Sequence, residues 1–236
     1  MKKILLSIIT VSTILAAPLA SANNDFNYVS TGLQFGKADN ALFRDNQTES
    51  AVGAFFDASW NFYDNVFASY SISYSSFDGE GWARAWTDGS NSGAESGQDY
   101  FSTTRQYYSL GYFVPMNKFT PYVSLGYADY KLAGSVYKFA EGLGPGTINK
   151  YSDTIGGAAG EVGTYIQITK NYKMKFSYNY AALEDNGFKI KINEFYFGND
   201  YAFADNWSAV ANISYRDIGT INTNEISTQF GVKYNF

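Results

Sequence analysis

Seven charged residues are the side chains in this sequence best placed to do chemistry together. Each lies on the polar side of a segment in which polar and apolar residues alternate, so the seven share one face. Such a group could act as general acid and base, line a water-filled passage and set its ion preference, or form internal pairs. Buried charges persist when they are paired and hydrogen-bonded, so we favour pairing. The seven residues are Asp57, Arg105, Glu161, Lys175, Glu194, Arg216 and Lys233.

Histidine and cysteine are both absent from the 236 residues. Without them neither a Ser–His nor a Cys–His pair can activate a nucleophile, and no disulfide can form. Paired carboxylates remain a formal route to acid–base catalysis. We predict that the protein is not an enzyme and carries no cofactor.

One stretch has part of the spacing of a calcium-binding loop. Residues 88–99 carry oxygen-bearing side chains at the first, third, fifth and twelfth places and Gly93 at the sixth. Serines replace the inner carboxylates, however, and Asp99 replaces the bidentate glutamate. We therefore predict a flexible Gly/Ser-rich loop with no metal.

The elements that must position the seven charges are strands. Apolar residues recur at every second position through most of the chain, which is the period of a strand with one apolar and one polar face. The 21 Tyr and 19 Phe residues beside only 4 Pro also favour strands. Counting the alternating segments gives ten strands, although eight remains an alternative. The segments are 27–37, 51–62, 66–75, 108–114, 123–128, 161–168, 174–180, 188–203, 209–216 and a last strand that includes 228–236.

The eighth segment, 188–203, is less regular than the others. Phe188, Ile190 and Ile192 share one parity, whereas Phe195 and Phe197 share the other. We interpret this as a bulge near Asn193, or as a strand whose first residues lie beyond a membrane.

Aromatic residues of the apolar faces gather near both ends of the segments, with aliphatic residues between them. That distribution is typical of two aromatic girdles around a hydrocarbon band. Short turns alternate with long polar inserts at 78–103 and 132–155. The sequence therefore predicts an all-β fold, a transmembrane antiparallel up-and-down β-barrel. The girdle residues are Trp60, Phe62, Tyr112, Trp207, Tyr234 and Phe236 near the turns, and Tyr74, Tyr108, Tyr127, Tyr180, Phe195 and Tyr215 toward the inserts.

The first 22 residues have the three zones of a secretory signal peptide: Lys2 and Lys3, an apolar run, and the small residues Ala20-Ser21-Ala22. We predict cleavage after Ala22, which leaves residues 23–236 as one barrel domain. Losing the two lysines lowers the formal charge from −5 to −7. This acidic balance argues against nucleic acid as a partner.

The last strand places Phe230, Val232, Tyr234 and Phe236 on one face and ends on an aromatic residue. Together with the signal peptide and the motif Pro121-Tyr122-Val123-Ser124-Leu125-Gly126-Tyr127, this ending resembles the small outer-membrane β-barrel proteins of Gram-negative bacteria, the OmpA/OmpX-like and porin-like group. The resemblance implies export to the periplasm, insertion into outer-membrane lipid, and reading of the last strand by the barrel-assembly machinery. The enzymes among outer-membrane barrels rely on a histidine, which this chain lacks.

Two functions remain open from the sequence. The first is a non-enzymatic outer-membrane protein, porin-like or structural, in which the seven charges line a pore for small solutes or pair within a plugged lumen. The alternative is a surface adhesin or ligand-binding barrel that contacts cell-surface ligands through the inserts at 78–103 and 132–155. The oligomeric state is not predicted.

Overall fold

The computed structural model describes residues 24–39, 48–77, 81–88, 91–140, 147–219 and 223–236. The predicted signal peptide at 1–22 lies outside these residues and stays a prediction. Within the described chain no helix is long and apolar enough to cross a membrane.

The chain forms one short 3₁₀ turn and eleven strands. The turn, Asn24–Phe26, directly precedes the first strand. The strands are β1 (Tyr28–Asp39), β2 (Thr48–Tyr63), β3 (Val66–Phe77), β4 (Gly81–Asp88), β5 (Asn91–Phe113), β6 (Phe119–Ala140), β7 (Thr147–Thr169), β8 (Tyr172–Asp185), β9 (Phe188–Ala204), β10 (Trp207–Ile218) and β11 (Thr223–Asn235).

Ten of these strands close into an antiparallel barrel. Each pairs with its neighbours in the chain, β1 pairs with β11, and the ring closes where β3 pairs with β5, from Val66↔Tyr112 to Phe77↔Phe101. Strand β4 is additional and pairs with β5 alone in the described sheet. The predicted fold class and the count of ten barrel strands are confirmed, and the alternative of eight is wrong.

Alternation along each strand separates an apolar exterior from a filled interior. Large apolar side chains in the middle of the wall face outward, with Leu125 73% and Leu110 61% exposed. Their neighbours in sequence point inward, and Ser124 and Ser109 are buried. The exterior is therefore an apolar band of the kind that lipid covers.

The two ends of the barrel differ. At one end, here the turn end, short connections at residues 64–65, 114–118, 170–171 and 205–206 join the strands. The opposite loop end carries the remaining connections. One of these, Asn186-Gly187, has φ of 48° and 85°, values that asparagine tolerates better than most residues and glycine adopts without strain.

Both predicted long inserts contain strands, so the prediction of loops there is wrong. Residues 81–88 form β4, and β5, β6 and β7 continue past the barrel in register from Phe101↔Gly134 to Glu95↔Ala140 and Lys138↔Thr147. Polar strands outside a membrane need no apolar face, so hydrophobic alternation does not reveal them. We call residues 81–88, 91–100, 131–140 and 147–154 the projecting sheet.

The predicted bulge near Asn193 is absent from the described ladder. β9 pairs with β8 and β10 without a register shift at this residue. Ile192 is instead buried, in phase with Glu194 on the inward face. The apolar residues switch from one face of β9 to the other in the sequence because, near the loop end, apolar side chains face the interior.

Two inward glycines let neighbouring strands approach closely. A Cβ at Gly53 or Gly126 would overlap the carbonyl oxygen of Tyr74 or Tyr108 on the adjacent strand. Glycine at such positions allows the wall to curve.

Candidate functional site

The turn end of the lumen is filled by five aromatic side chains, here the aromatic plug: Phe26, Phe67, Phe113, Tyr122 and Tyr165. Phe26 is 2% exposed. Its ring stacks on Phe67 and Phe113, with centroids 4.2 and 4.5 Å apart, and meets Tyr122 and Tyr165 edge-on at 5.5 and 5.3 Å. Such contacts favour a fixed ring arrangement beyond simple burial.

Polar contacts hold the 3₁₀ turn that carries Phe26. Asp25 forms an ion pair with Lys173, with Nζ to Oδ1 at 2.5 Å, and its second oxygen accepts from Thr120 at 3.2 Å. The backbone N–H of Asn61 donates to Asn27 Oδ1 at 2.8 Å. The backbone N–H of Phe236 donates to the Asn27 carbonyl at 3.1 Å. The turn is thereby tied to opposite parts of the wall.

Two lysines lie next along the lumen, each with a carboxylate and aromatic rings. Lys175 Nζ lies 3.0 Å from Glu161, which also accepts from the Tyr122 hydroxyl at 2.5 Å, and 4.9 Å from the Tyr196 ring centre. Lys233 Nζ lies 2.6 Å from Asp200 and 4.5 Å from the Tyr28 ring centre. Cation–π contact adds to the ion pair in both places.

Asp57 differs from the other lumen carboxylates in its partners. Oδ1 accepts from the Ser71 hydroxyl at 2.6 Å, and Oδ2 accepts from the Ser30 hydroxyl at 3.3 Å. Both donors are neutral.

An arginine–glutamate network lies nearer the loop end. Glu194 bridges Arg105 at 3.2 Å and Arg216 at 2.7 Å, and Arg216 also pairs with Glu225 at 2.5 Å. The side chain of Arg216 is fully buried. Arg105 in addition donates to Ser73 at 3.0 Å. Two carboxylates around one buried guanidinium satisfy the requirement that buried charges be paired.

Apolar side chains fill the lumen beyond this network. One cluster joins Leu183 and Ile192 with Ile155, Ala159, Ala181 and Ile218. A second joins Phe77 and Phe101 with Ala38 and Ala51. We call these two clusters the apolar layer.

A cavity of about 190 Å³ lies between the plug and the apolar layer. Its lining extends from Tyr165 to Leu183 and Ile192. A polar cavity of this size has room for several water molecules. All the sequence-predicted lumen charges except Arg216 line it: Asp57, Arg105, Glu161, Lys175, Glu194 and Lys233.

The structure places all seven predicted charges in the lumen and brings six of them into ion pairs. Asp200 and Glu225 complete these pairs, and Lys173 and Asp25 form a further pair of their own. Lys173, Asp200 and Glu225 share the parity of predicted lumen residues on the same strands, so strict alternation could have found them. Asp25 precedes β1, where no alternation applies.

The four residues of the predicted assembly signal lie at the end of β11 and after it. Phe230 and Val232 face outward at 53% and 44% exposure. The Tyr234 ring lies 5.0 Å from that of Trp207. Their recognition by the assembly machinery stays a prediction.

The lumen offers ion pairs and hydroxyls for chemistry. Among the described residues no group of three or more acidic side chains is arranged to hold a metal. The predicted calcium-like stretch falls on β4 and β5, where Asp88 pairs with Asn91 and residues 91–99 are extended, so the prediction of a loop there is wrong.

A closed barrel with an apolar exterior and a charged, filled interior defines an integral β-barrel membrane protein. The chain belongs to the family described as outer membrane protein beta-barrel domain, whose model matches residues 7–203. The protein is accordingly one of the bacterial outer membrane, and the predicted resemblance to small outer-membrane barrels is confirmed.

Solved barrels of several kinds share the fold. The transport unit of the autotransporter AIDA-I from Escherichia coli is 12% identical with a TM-score of 0.54, over 98% of this chain and 97% of that one. The outer membrane protease OmpT from Escherichia coli is 8% identical with a TM-score of 0.52, over 92% and 99%. The translocator domain of autotransporter NalP from Neisseria meningitidis is 12% identical with a TM-score of 0.51, over 100% and 95%. No curated protein sequence matches the chain.

Proposed function

We propose that the protein is a non-enzymatic, non-conducting outer-membrane barrel that acts through the strands it projects beyond the membrane. The observation that carries this proposal is the filled lumen. The aromatic plug, the ion-paired side chains and the apolar layer follow one another along the barrel axis. An ion crossing this path would have to displace paired charges and enter two apolar zones, which is costly. Pairing is therefore favoured over a porin-like pore.

Planar-bilayer recording of the refolded protein tests the proposal. We expect no steady channels, while a general porin refolded into the same bilayers conducts. Steady unitary currents whose ion preference changes on Glu161→Gln or Arg216→Gln would contradict a closed lumen and favour the porin-like function.

The length of β5, β6 and β7 supports surface contact as the role of the projecting sheet. These strands have 23, 22 and 23 residues, whereas the other ring strands have 12 to 17. Their outer parts pair with one another and with β4, away from the rest of the ring. A membrane crossing needs about 9 to 11 residues per strand, so the extra length serves something outside the bilayer. This is the adhesin or ligand-binding function expected from the inserts at 78–103 and 132–155.

Shortening the projecting sheet tests this role. One variant replaces residues 78–100 by a four-residue Gly/Asn turn beside the Phe77↔Phe101 pair, and a second replaces 134–151 beside Ala133↔Ser152. Both should still insert, because the replaced residues lie outside the ring. We expect bacteria that display them to lose attachment to cultured epithelial cells or to a glycan array. Unchanged attachment by both variants would overturn the surface-contact role.

The absence of histidine from the whole sequence supports the proposal that the protein is not an enzyme. Lipase and protease activities of the refolded barrel should be at background level. Turnover that Glu161→Gln abolishes would refute the proposal that the protein is not an enzyme.

As partners we propose outer-membrane lipid and the barrel-assembly machinery, which the protein reaches after export by the predicted signal peptide. We propose no nucleic-acid partner.

A further inference from the structure

Asp57 faces the mid-barrel cavity from β2 and is held by hydroxyl groups alone among the described residues. Ser71 and Ser30 donate to its two oxygens at 2.6 and 3.3 Å. No cationic nitrogen of the described chain forms an ion pair with it, in contrast to the five carboxylates described above in ion pairs with lumen lysines and arginines.

Asp129 also borders the cavity, but it has the outward parity of Leu125 and Tyr127 on β6. The inward-facing charges of the described barrel interior do not balance when all are ionised. Each of the other five carboxylates has a cationic nitrogen within 3.2 Å. Asp57 is therefore the unmatched negative charge, and a buried carboxylate without a counter-charge is costly. The cationic residues are Arg105, Lys173, Lys175, Arg216 and Lys233, and the carboxylates are Asp25, Asp57, Glu161, Glu194, Asp200 and Glu225.

The wall around Asp57 supplies oxygen ligands and room. Asp57, Ser30 and Ser71 all line the cavity of about 190 Å³. Ser59, two residues along the same inward face of β2, is 4% exposed but does not line the cavity, so the site depends on Asp57, Ser30 and Ser71.

We propose that Asp57, with the hydroxyls of Ser30 and Ser71, binds a sodium-sized monovalent cation in this cavity. Calcium and magnesium sites draw on several carboxylates or on phosphates. One carboxylate with hydroxyls and water instead matches a single positive charge, and the bound ion neutralises the lumen. The competing arrangement is a protonated, neutral Asp57 held by the same serines.

The test compares cations of different size at one ionic strength. Refolded protein in detergent is melted in sodium chloride and in N-methylglucamine chloride, whose bulky cation cannot be coordinated closely by one carboxylate and two hydroxyls. We expect the wild type to melt at a higher temperature in sodium, with an effect that saturates as sodium rises, because a ligand that binds the folded state stabilises it. Asp57→Asn should melt at the same temperature in both salts.

Two further variants keep the test decisive. Ser71→Ala retains the carboxylate and should raise the half-saturating sodium concentration roughly fivefold, as expected for one lost polar contact. Glu184→Gln removes an exposed carboxylate, 57% accessible, and should respond to sodium as the wild type does. Indifference of the wild type to the cation would mean a neutral Asp57 and overturn the proposal. An equal response in Asp57→Asn, or a loss of the response in Glu184→Gln, would also overturn it.

Discussion

Arg216 illustrates how single residues determine what the lumen can do. Its side chain is fully buried, and two carboxylates, Glu194 and Glu225, lie at 2.7 and 2.5 Å. A guanidinium fixed on both sides is neither a mobile charge at a pore wall nor free to meet a solute. The same holds for Lys175 and Lys233, each beside a carboxylate and aromatic rings.

Glu194→Gln should destabilise the barrel by about 3 to 5 kcal/mol, because it leaves Arg105 without its carboxylate and Arg216 with one of two. Urea unfolding of the refolded protein in detergent measures the change. As control, Glu184→Gln breaks an ion pair with Lys189 of 3.4 Å that is 68% and 57% exposed. This control substitution should lower the free energy of unfolding by at most about 1 kcal/mol. Equal effects of the two substitutions would contradict the role of burial.

Phe26→Ala should also lower the free energy of unfolding by about 3 to 5 kcal/mol, because it leaves a cavity at the centre of the aromatic plug. The matched control is Phe188→Ala, since Phe188 is 53% exposed beside the β8–β9 turn. The same unfolding assay applies, and a Phe26 variant as stable as the control would show that the plug does not support the fold.

The sequence predicted the lumen residues as far as strand parity extends. Alternation identified Asp57 and Glu161 as inward-facing because their neighbours are apolar and outward. It could not identify Phe26 or Asp25, which precede β1 in a 3₁₀ turn where side chains do not alternate. Nor could it assign partners, because Arg105 and Glu194 are 89 residues apart and meet only when the ring closes.

At the scale of elements, the ring strands were predictable and the projecting sheet was not. A strand in lipid must present an apolar face, and that requirement creates the period of two. In water both faces can be polar, so 91–99 reads as a Gly/Ser-rich loop although it continues β5. Backbone pairing with β4 and β6 holds that part of the sheet, and single-sequence patterns do not record pairing.

Phe236→Ala should reduce the amount of folded protein in the outer membrane several-fold while changing the stability of the folded barrel little. Phe236 directly follows β11, and its backbone N–H rather than its side chain bonds to Asn27, so recognition during assembly should suffer more than the fold. Heat-modifiable protein in outer-membrane fractions is the measurement. Phe62→Ala, at another outward aromatic of the turn end, is the control and should insert normally. A normal yield for Phe236→Ala would refute the assembly signal.

At the scale of the whole molecule, the sequence predicted the class because composition, period and strand count agree. The closed ring, its antiparallel order and its ten strands follow from hydrophobic alternation and from the need to pair every backbone group in lipid. Pairing of the lumen charges was favoured from the sequence, but the apolar layer did not follow, because inward apolar residues such as Leu183 and Ile192 are indistinguishable in sequence from a break in the pattern.

Leu125→Arg should destabilise the barrel by about 2 to 4 kcal/mol in lipid vesicles, because Leu125 is in the middle of the apolar band. Ser152→Arg, at an exposed position of the projecting sheet, should leave stability unchanged within about 0.5 kcal/mol. Reversible urea unfolding in vesicles measures both. If Leu125→Arg were equally harmless, the exterior would not be the lipid-facing surface.

The uninterrupted run of β5, β6 and β7 from the membrane into the projecting sheet has a mechanical consequence. A tether pulling on the sheet away from the cell would act nearly along these strands. Their hydrogen bonds would then be loaded together in shear, instead of opening one after another as in an unzipping hairpin. The force would pass directly into the barrel wall, with no flexible hinge between the point of attachment and the anchor.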